Sequence, residues 1–239
     1  LTLPGGIISQ WDDKSGNARH ATNAGTGTPL LSTSIINGIP AIQFNDGNFL
    51  ETPSFTMNTL TRTAFVVYRH TASTFPADGV FYNFEPLIGV SGNGFQLFTV
   101  RLSTSPYQWR AGLGITNVGF FPEGPAYFSG NTQPATPNFL ICAQRTTAST
   151  GVITYNGTPQ TTTFTNTSSQ FPATDVLRVG RTRNSSGVPN VAGNHIGEIL
   201  LYNAALTPSQ RQQVEGYLAH KWNLQTSLPT SHPYRLVKP

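Results

Sequence analysis

The sequence predicts an all-β protein, an antiparallel β-sandwich with one short α-helix near the C-terminus. Over most of the 239 residues, short runs of branched and aromatic residues alternate with turns of Gly, Pro, Asn and Asp, a pattern typical of antiparallel strands. A strong helix signal occurs only in residues 207–223. The length suits a single sandwich. We therefore expect one domain over residues 1–239 that is part of a larger protein or excised from one.

The helix is predicted from the signals at its two ends. Thr207 can cap the first turn with its hydroxyl, and Pro208 suits the first helical position, where its missing N–H costs nothing. Gln210 completes a capping box with Thr207. Asn223 can adopt the left-handed conformation that ends many helices. A helix bounded in this way is expected to pack on the preceding sheet.

The residues inside this helix form an amphipathic pattern. Its apolar members recur at helical spacing, and they are Val214, Tyr217, Leu218 and Trp222. The polar residues that we expect to face water are Gln212, Gln213 and Glu215. The pattern predicts that the apolar stripe is buried against the sheet.

Strand signals begin in the first third of the chain. Residues 1–36 are rich in turns and predict a long lead-in with one short strand. Residues 39–44 and 49–52 flank an Asp-Gly turn at residues 45–48, which predicts a hairpin. Residues 63–69 are almost continuously apolar, and this predicts a central strand that is buried on both faces.

The middle of the chain alternates predicted loops with predicted strands. Residues 71–84 are interpreted as an aromatic-rich loop, and residues 111–137, rich in Gly and Pro, as a long surface excursion. Strands are predicted between them, over residues 87–90, 95–102 and 107–110. The remaining predicted strands cover residues 139–145, 152–155, 161–165, 175–180 and 196–202. Asn156-Gly157 predicts a second hairpin turn, which joins residues 152–155 to residues 161–165.

Residues at both ends of the chain form recognisable patterns. Those at the C-terminal end are Gly193, Ile196, Glu198, Leu200, Leu201, Tyr202, Tyr217, Leu218, Ala219, Lys221, Trp222, Leu228, Pro229, Thr230, Ser231, His232, Pro233 and Tyr234. Those at the N-terminal end are Trp11, Asp12, Asp13, Lys14, Ser15, Gly16, Asn17, His20, Ala21, Asn37, Gly38, Ile39, Pro40, Ala41, Phe44, Asn45, Asp46 and Gly47. On these residues the chain resembles bacterial and viral laminin-G-like domains of the concanavalin A-like lectin/glucanase superfamily. The resemblance implies a jelly-roll β-sandwich, and it does not extend to the middle of the chain.

The composition excludes several classes of partner. The net charge of +4 comes from 14 basic and 10 acidic residues, and the arginines are scattered without a Lys/Arg run. Because nucleic-acid binding requires basic residues clustered on one face, we expect no nucleic-acid partner. No apolar run reaches the roughly 18 residues of a membrane span, so we expect no membrane insertion. Charged residues make up 10% of the chain, against about 25% in typical soluble domains. This composition is common in extracellular and virion-surface β proteins.

We expect no cofactor, with calcium as the alternative. Oxygen donors at short spacing suit calcium, and the residues that offer them are Asp12, Asp13, Ser15 and Asn17. A turn bonded to its own backbone explains the same residues. Asp46 is a second calcium candidate, because some laminin-G-like domains hold calcium with an acidic residue at the sandwich rim, although turn chemistry alone explains it. The single cysteine, Cys142, lies in an apolar run and predicts a small buried core residue.

Aromatic and guanidinium groups in the middle of the chain form the candidate ligand site. Alternation along a strand places Tyr107 and Trp109 on one side and Arg110 on the other. An aromatic face beside polar groups suits a sugar, which has an apolar C–H face and a fringe of hydroxyls. We therefore predict Tyr82, Arg101, Tyr107, Trp109 and Arg110 as ligand-binding residues, with an ordinary core edge as the alternative.

The resemblance also raises catalysis, because the superfamily includes endoglucanases. Retaining glycosidases need two carboxyl groups about 5 Å apart, which on one strand means acidic residues two or four positions apart. No two of the ten acidic residues have either spacing. Glu198 matches a family position without known chemistry, and we interpret it as structural and paired with an arginine. His195 is interpreted as a turn residue. We predict no catalytic residue and no enzyme.

Two functions fit these observations. The first is a noncatalytic carbohydrate-binding or adhesion module of a secreted or virion-surface protein. The second is a structural or assembly domain, such as a capsid decoration or a fibre element. The expected partners are therefore a glycan or neighbouring protein subunits, including copies of this chain. A polysaccharide hydrolase or lyase is a third alternative.

Overall fold

The structure, a computed structural model, describes residues 6–44, 48–58, 60–69, 78–86, 96–101, 109–114, 127–130, 138–147, 150–159, 162–163, 174–180 and 194–239. For residues 78–86, 96–101, 109–114, 127–130, 162–163, 175 and 194 the description covers the backbone. Two antiparallel sheets and one C-terminal helix make up this part of the chain. The predicted fold class is confirmed.

The larger sheet contains ten strands within the described ranges. They are β1 (Gln10–Trp11), β2 (Ala21–Asn23), β5 (Leu50–Glu51), β6 (Phe55–Thr56), β8 (Asp78–Pro86), β9 (Gln96–Arg101), β10 (Trp109–Gly114), β11 (Tyr127–Gly130), β15 (Thr162–Thr163) and β16 (Thr174–Val179). Their spatial order is β1-β2-β5-β16-β8-β9-β10-β11-β15, and β6 also pairs with β16. The sheet thus collects strands from both ends of the chain.

The smaller sheet contains seven strands of the described part. They are β3 (Leu30–Ile36), β4 (Ile39–Phe44), β7 (Arg62–Arg69), β12 (Asn138–Arg145), β13 (Gly151–Tyr155), β14 (Thr158–Pro159) and β17 (Asn194–Tyr202). Their order is β14-β13-β12-β7-β17-β4-β3. The central strand β7 is buried almost throughout, as its apolar sequence predicts.

Both faces of the smaller sheet are covered. Toward the larger sheet, alternate strand residues such as Val66 and Ile141 form the core of the sandwich. Toward the opposite side, Phe65 and Leu140 pack against Leu218 and Trp222 of the C-terminal segment. The molecule therefore has three layers, which are the larger sheet, the smaller sheet and the helix with its following tail.

The helix α1 (Pro208–Lys221) begins and ends where the sequence predicts. The Thr207 side chain accepts a hydrogen bond from the Gln210 backbone N–H, and the Gln210 side chain accepts one from the backbone N–H of Thr207. Both halves of the capping box are thus present. Asn223 follows the helix in the left-handed region with φ 54°, which confirms the predicted stop.

Two residues of α1 differ from the amphipathic prediction. Tyr217 was expected on the buried stripe but is 45% exposed, whereas Glu215 was expected in water and is fully buried. The reason is that a polar cluster beneath the helix supplies partners for the Glu215 carboxylate, namely Thr154 and His232. Burial of a charged group is tolerated when such partners are available.

The predicted lead-in over residues 1–36 is wrong in its strand content, because it contains β1, β2 and β3 rather than one strand. The first two are very short, and β2 is held by pairing with the distant β5. Such strands depend on tertiary context more than on local sequence. The third pairs with β4 across Asn37 and Gly38, whose φ values of 48° and 86° match a two-residue hairpin turn.

The predicted hairpin of residues 39–44 and 49–52 is also wrong. Strand β4 pairs with β3 and β17 in the smaller sheet, whereas β5 pairs with β2 and β16 in the larger one. The segment between them, of which residues 45–47 lie outside the description, therefore connects two sheets. The Asn156-Gly157 turn is confirmed, since Tyr155 pairs directly with Thr158. The predicted partner strand over residues 161–165 is wrong, because Thr162 and Thr163 pair with β11 in the larger sheet.

Two predicted loops contain strands. Residues 78–86 form β8, and the predicted excursion over 111–137 includes the end of β10 and all of β11. Aromatic and glycine content favoured loops there, but pairing with β9 and with one another fixes an extended backbone. The predicted strand over residues 87–90 lies outside the described residues.

The residues behind the family resemblance join the helix to the smaller sheet. Glu198 accepts hydrogen bonds from Trp222 Nε1 at 2.7 Å and from Lys221 Nζ at 2.9 Å. The predicted arginine partner is therefore wrong, although the structural role agrees. A Cβ on Gly197 would lie 2.5 Å from the Trp222 ring, so the glycine is required for this close approach.

A matching contact links the two ends of the chain. Asn37, in the β3–β4 turn, donates hydrogen bonds to the carbonyl oxygens of Trp222 at 3.1 Å and Asn223 at 3.0 Å. These oxygens belong to the helix C-terminus, which otherwise lacks partners for its last carbonyls. Both patterns that carry the resemblance thus contribute to the helix layer, on the far side of the smaller sheet from the larger sheet.

Cys142 is expected to be unreactive until the helix layer opens. It is completely buried beneath α1, and burial, together with the Glu215 carboxylate, raises the pKa of its thiol well above the ordinary value. We expect a thiol reagent to label the native protein about a thousand times more slowly than the urea-unfolded protein. Labelling of the native protein at the unfolded rate would contradict this placement.

Candidate functional site

The face of the larger sheet that points away from the smaller sheet is the outer face. Leu177 and Val179 of β16 pack into the core between the sheets, so strand alternation places Val176 and Arg178 on the outer face. Cross-strand partners share a face. This rule assigns every paired residue of the larger sheet either to the outer face or to the face toward the smaller sheet. The outer face is the surface of the sandwich that the helix layer does not cover.

One line of polar residues crosses the outer face from strand to strand. We call it the polar row, and its members in spatial order are Gln10, Thr22, Glu51, Arg178, Asn83 and Gln96. Each member is the direct register partner of the next. The row spans six adjacent strands, which corresponds to about 24 Å at the usual strand spacing.

The centre of the polar row is an ion pair. Arg178 Nε donates to Glu51 Oε2 at 2.5 Å, and the two side chains are 25% and 28% exposed. The Arg178 guanidinium also lies 5.7 Å from the centroid of the Phe49 ring, within the range of a cation–π contact. Val176, on the same face, is buried, which limits the open part of the face on that side. The pair is therefore fixed in position and still reachable from solvent.

The predicted binding residues do not share one face. The register pairs Trp109 with Arg101 and Tyr82 with Val179, so these three predicted residues occupy the core-facing register of the larger sheet. Arg110, one position along from Trp109, occupies the outer register. Tyr107 lies outside the described residues. The site composed of these five residues stays a prediction.

Three acidic residues from two strands share the outer face, Glu51 of β5 and Asp78 and Glu85 of β8. Glu51 and Glu85 flank β16 from opposite sides, opposite Arg178 and Val176 respectively. Asp78 lies at the other end of β8 from Glu85, opposite Val100 of β9. A sequence test for acidic pairs within one strand cannot detect carboxylates that different strands bring to one face.

The candidate calcium loop is held together by its own hydrogen bonds. The Asp13 carboxylate accepts bonds from Ser15 N and Ser15 Oγ at 2.8 Å and from Arg19 N at 3.0 Å. Burial works to raise the pKa of Asp13, but these hydrogen bonds hold it below its ordinary value. In the part of the chain that the structure describes, no three His, Cys, Asp or Glu residues are grouped for a metal. Asp46 lies outside that part.

His195 lies within β17 rather than in a turn. It is buried, and its Nε2 lies 3.0 Å from Ser32 Oγ. Strand pairing places it beside Arg69 in the smaller sheet, away from the polar row. The histidine is therefore part of the internal packing of the smaller sheet.

Comparisons with known proteins identify the fold. No protein-family model matches the chain, and no curated protein matches its sequence significantly. Domain 4 of AbnA, a GH43 extracellular arabinanase from Geobacillus stearothermophilus in complex with arabinotriose, has a TM-score of 0.52 and 16% identity over 85% of this chain and 95% of that one. A heptameric SAP-like pentraxin from Limulus polyphemus has a TM-score of 0.54 and 14% identity over 72% of this chain and 76% of that one.

Larger proteins contain the same sandwich. A mutant sialidase of Trypanosoma rangeli that displays trans-sialidase activity has a TM-score of 0.57 and 13% identity over 93% of this chain. This chain spans 34% of that protein. These likenesses show that the fold is a jelly-roll β-sandwich.

The prediction that the chain is not an enzyme is contradicted by this set. The similar structures belong mainly to glycoside-cleaving proteins, and besides the arabinanase and the sialidase they include a GH54 α-L-arabinofuranosidase and the enzymatically active domain of a bacteriophage CBA120 tailspike. The prediction depended on acidic residues two or four positions apart on one strand, whereas the acidic residues of the outer face come from two strands, β5 and β8.

The sequence did not indicate the polar row. Its six members come from six strands, and each is a polar residue next to at least one apolar residue. That alternation is the ordinary pattern of a half-buried strand. Only the pairing of the strands shows that the residues form a line.

Proposed function

We propose that this chain is a glycan-binding β-sandwich module of a carbohydrate-active protein. The observation that carries the proposal is the polar row, which offers amide, hydroxyl, carboxylate and guanidinium groups in one line on the outer face. Sugars are bound by such planar and charged hydrogen-bonding groups, since each ring carries several hydroxyls. The central ion pair supplies a fixed acceptor and a fixed donor side by side.

The comparisons support this proposal. The similar AbnA domain was solved with a bound arabinotriose, and nearly its whole length matches this chain. We further propose that the chain is a single domain of the laminin-G-like branch, as the residues at its two ends suggest. Part of the proposal is that it acts in a secreted or virion-surface protein, alone or as a homo-oligomer. Within the described ranges, no helix has the length and apolar character needed to span a bilayer.

The predicted binding residues enter the proposal in two groups. Arg110 shares the outer face with the polar row and is proposed to contact the ligand. Trp109, Arg101 and Tyr82 occupy the core-facing register, where the alternative interpretation as a core edge has support. Alanine variants of Arg110 and Trp109 separate these roles, because only the second is expected to lower the thermal midpoint.

An Arg178→Ala variant is expected to lose glycan binding. The loss should be about tenfold or more, because the variant removes a charged donor from the centre of the row. Stability should change by less than about 1 kcal/mol, since the ion pair is partly exposed. The measurement is binding to a panel of neutral and acidic polysaccharides, with product release followed in parallel. Thr174→Ala is the matched control, because Thr174 is exposed, on the same strand and face, but four residues away.

Two outcomes would contradict the proposal. One is the absence of binding to any glycan of the panel, which together with self-association in light scattering would favour the assembly domain. The other is equal loss of binding in the Arg178 and Thr174 variants, which would place the site elsewhere on the protein.

A further inference from the structure

We infer that the ligand is an extended, uncharged oligosaccharide that lies along the polar row, across the strands, rather than a single terminal sugar. This inference rests on the proposed function and adds the binding mode and the class of glycan. It is carried by the register of the larger sheet, which aligns Gln10, Thr22, Glu51, Arg178, Asn83 and Gln96.

The length of the row sets the length of the ligand. Neighbouring strands are about 4.8 Å apart, so the row extends for roughly 24 Å. A sugar unit in an extended chain advances by a similar distance, and each strand can therefore present one polar group to each successive unit. A chain on the order of five units spans the row.

The charges of the row favour a neutral glycan. It contains one carboxylate and one guanidinium, Glu51 and Arg178, which are bonded to each other and cancel. Elsewhere on the outer face, Asp78 and Arg110, both partners of Val100, add one acidic and one basic residue, and Glu85, opposite Val176 next to the row, adds one more acidic residue. Anionic sugars are bound by an excess of positive charge, and these outer-face residues provide none.

The centre of the row and the part that contains Thr22 are expected to contribute differently to the binding of short and long ligands. Glu51 and Arg178 lie at its centre and can make charge-assisted hydrogen bonds, which are the strongest available there. Thr22 lies next to Glu51 toward one end of the row, and its side chain is exposed. A short ligand is expected to occupy the centre, and only a longer one reaches Thr22.

The test is titration calorimetry of the full chain with neutral oligosaccharides from disaccharide to hexasaccharide, in arabinose, xylose and glucose series, and with a galacturonic acid series. We expect affinity for one neutral series to increase with each added unit until the row is spanned. Thr22→Ala is expected to weaken hexasaccharide binding about threefold to tenfold and to leave disaccharide binding unchanged. Arg178→Gln is expected to weaken every length, and Thr174→Ala none.

The outcomes separate this inference from the proposed function. If no series binds, the proposed function fails and the inference fails with it. If binding occurs but does not increase beyond the disaccharide, if the galacturonic acid series binds best, or if Thr22→Ala has no effect on the hexasaccharide, the inference alone is overturned. Equal thermal midpoints of Thr22→Ala and the parent protein exclude unfolding as the cause of any loss.

Discussion

A Trp222→Ala variant is expected to lose about 3–5 kcal/mol of unfolding free energy, the usual cost of removing a large buried aromatic side chain. The Trp222 side chain is 4% exposed and fills the space between α1 and β17. Its ring lies against Gly197, where even a Cβ could not fit, and its indole N–H donates to Glu198. The alanine variant would leave a cavity and would also remove one of the two donors to the Glu198 carboxylate.

Trp222→Phe separates these two contributions. Phenylalanine keeps most of the apolar contact but cannot donate to Glu198, and we expect a loss of about 1–3 kcal/mol. Urea unfolding measures the unfolding free energy of both variants. An unchanged denaturant slope shows that two-state behaviour is preserved. An alanine variant that loses less than about 1 kcal/mol would show that the helix does not dock on β17 through this ring.

The elements that the sequence predicted well are those with local signals. The capping box at Thr207, the left-handed residue at Asn223 and the two-residue turn at Asn156 each depend on neighbours within a few positions. Strand β7 was predicted because burial on both faces leaves a continuous apolar run. Local physical chemistry is enough for such elements, so these predictions agree with the structure.

The predictions that were wrong concern the pairing of strands that are distant in sequence. The strand β5 lies within the predicted strand over residues 49–52, but it pairs with β2 and β16, and no feature of Leu50 and Glu51 alone indicates these partners. The Asp-Gly sequence after β4 was interpreted as a hairpin turn, but it connects two sheets. The polar row could not be predicted from the sequence for the same reason, since its central residues Glu51 and Arg178 are 127 positions apart.

The family resemblance could not reveal the site either. Its strongest residues, Glu198, Lys221 and Trp222, form the contacts between the helix and the smaller sheet. These contacts stabilise the fold whatever the outer face binds. The larger sheet takes its central strands from the part of the chain where the resemblance is silent, so the resemblance could not indicate which residues those strands bring to the outer face.

The polar cluster beneath α1 centres on the fully buried Glu215 carboxylate. Thr154 Oγ1 donates to its Oε1 at 2.5 Å, and Arg211 Nε lies 3.7 Å from the same atom. His232 Nε2 lies 3.3 Å from the other carboxylate oxygen. The Tyr234 backbone N–H donates to His232 Nδ1, so Nε2 carries a proton and donates to Glu215. The cluster thereby connects α1 to β13 and to the C-terminal tail.

A Glu215→Ala variant is expected to lose about 3–5 kcal/mol of unfolding free energy, because it leaves Arg211 and His232 without the buried carboxylate they face. Glu215→Gln should lose only about 1–2 kcal/mol. Its carbonyl oxygen can accept from His232, and Thr154 can reverse its hydroxyl to accept from the amide. Gln213→Ala, at an exposed position of the same helix, should change stability by less than about 0.5 kcal/mol. Urea unfolding of the three variants tests this order. Equal losses for Glu215→Ala and Glu215→Gln would mean that the charge, and not the hydrogen-bond network, holds the tail against the sheet.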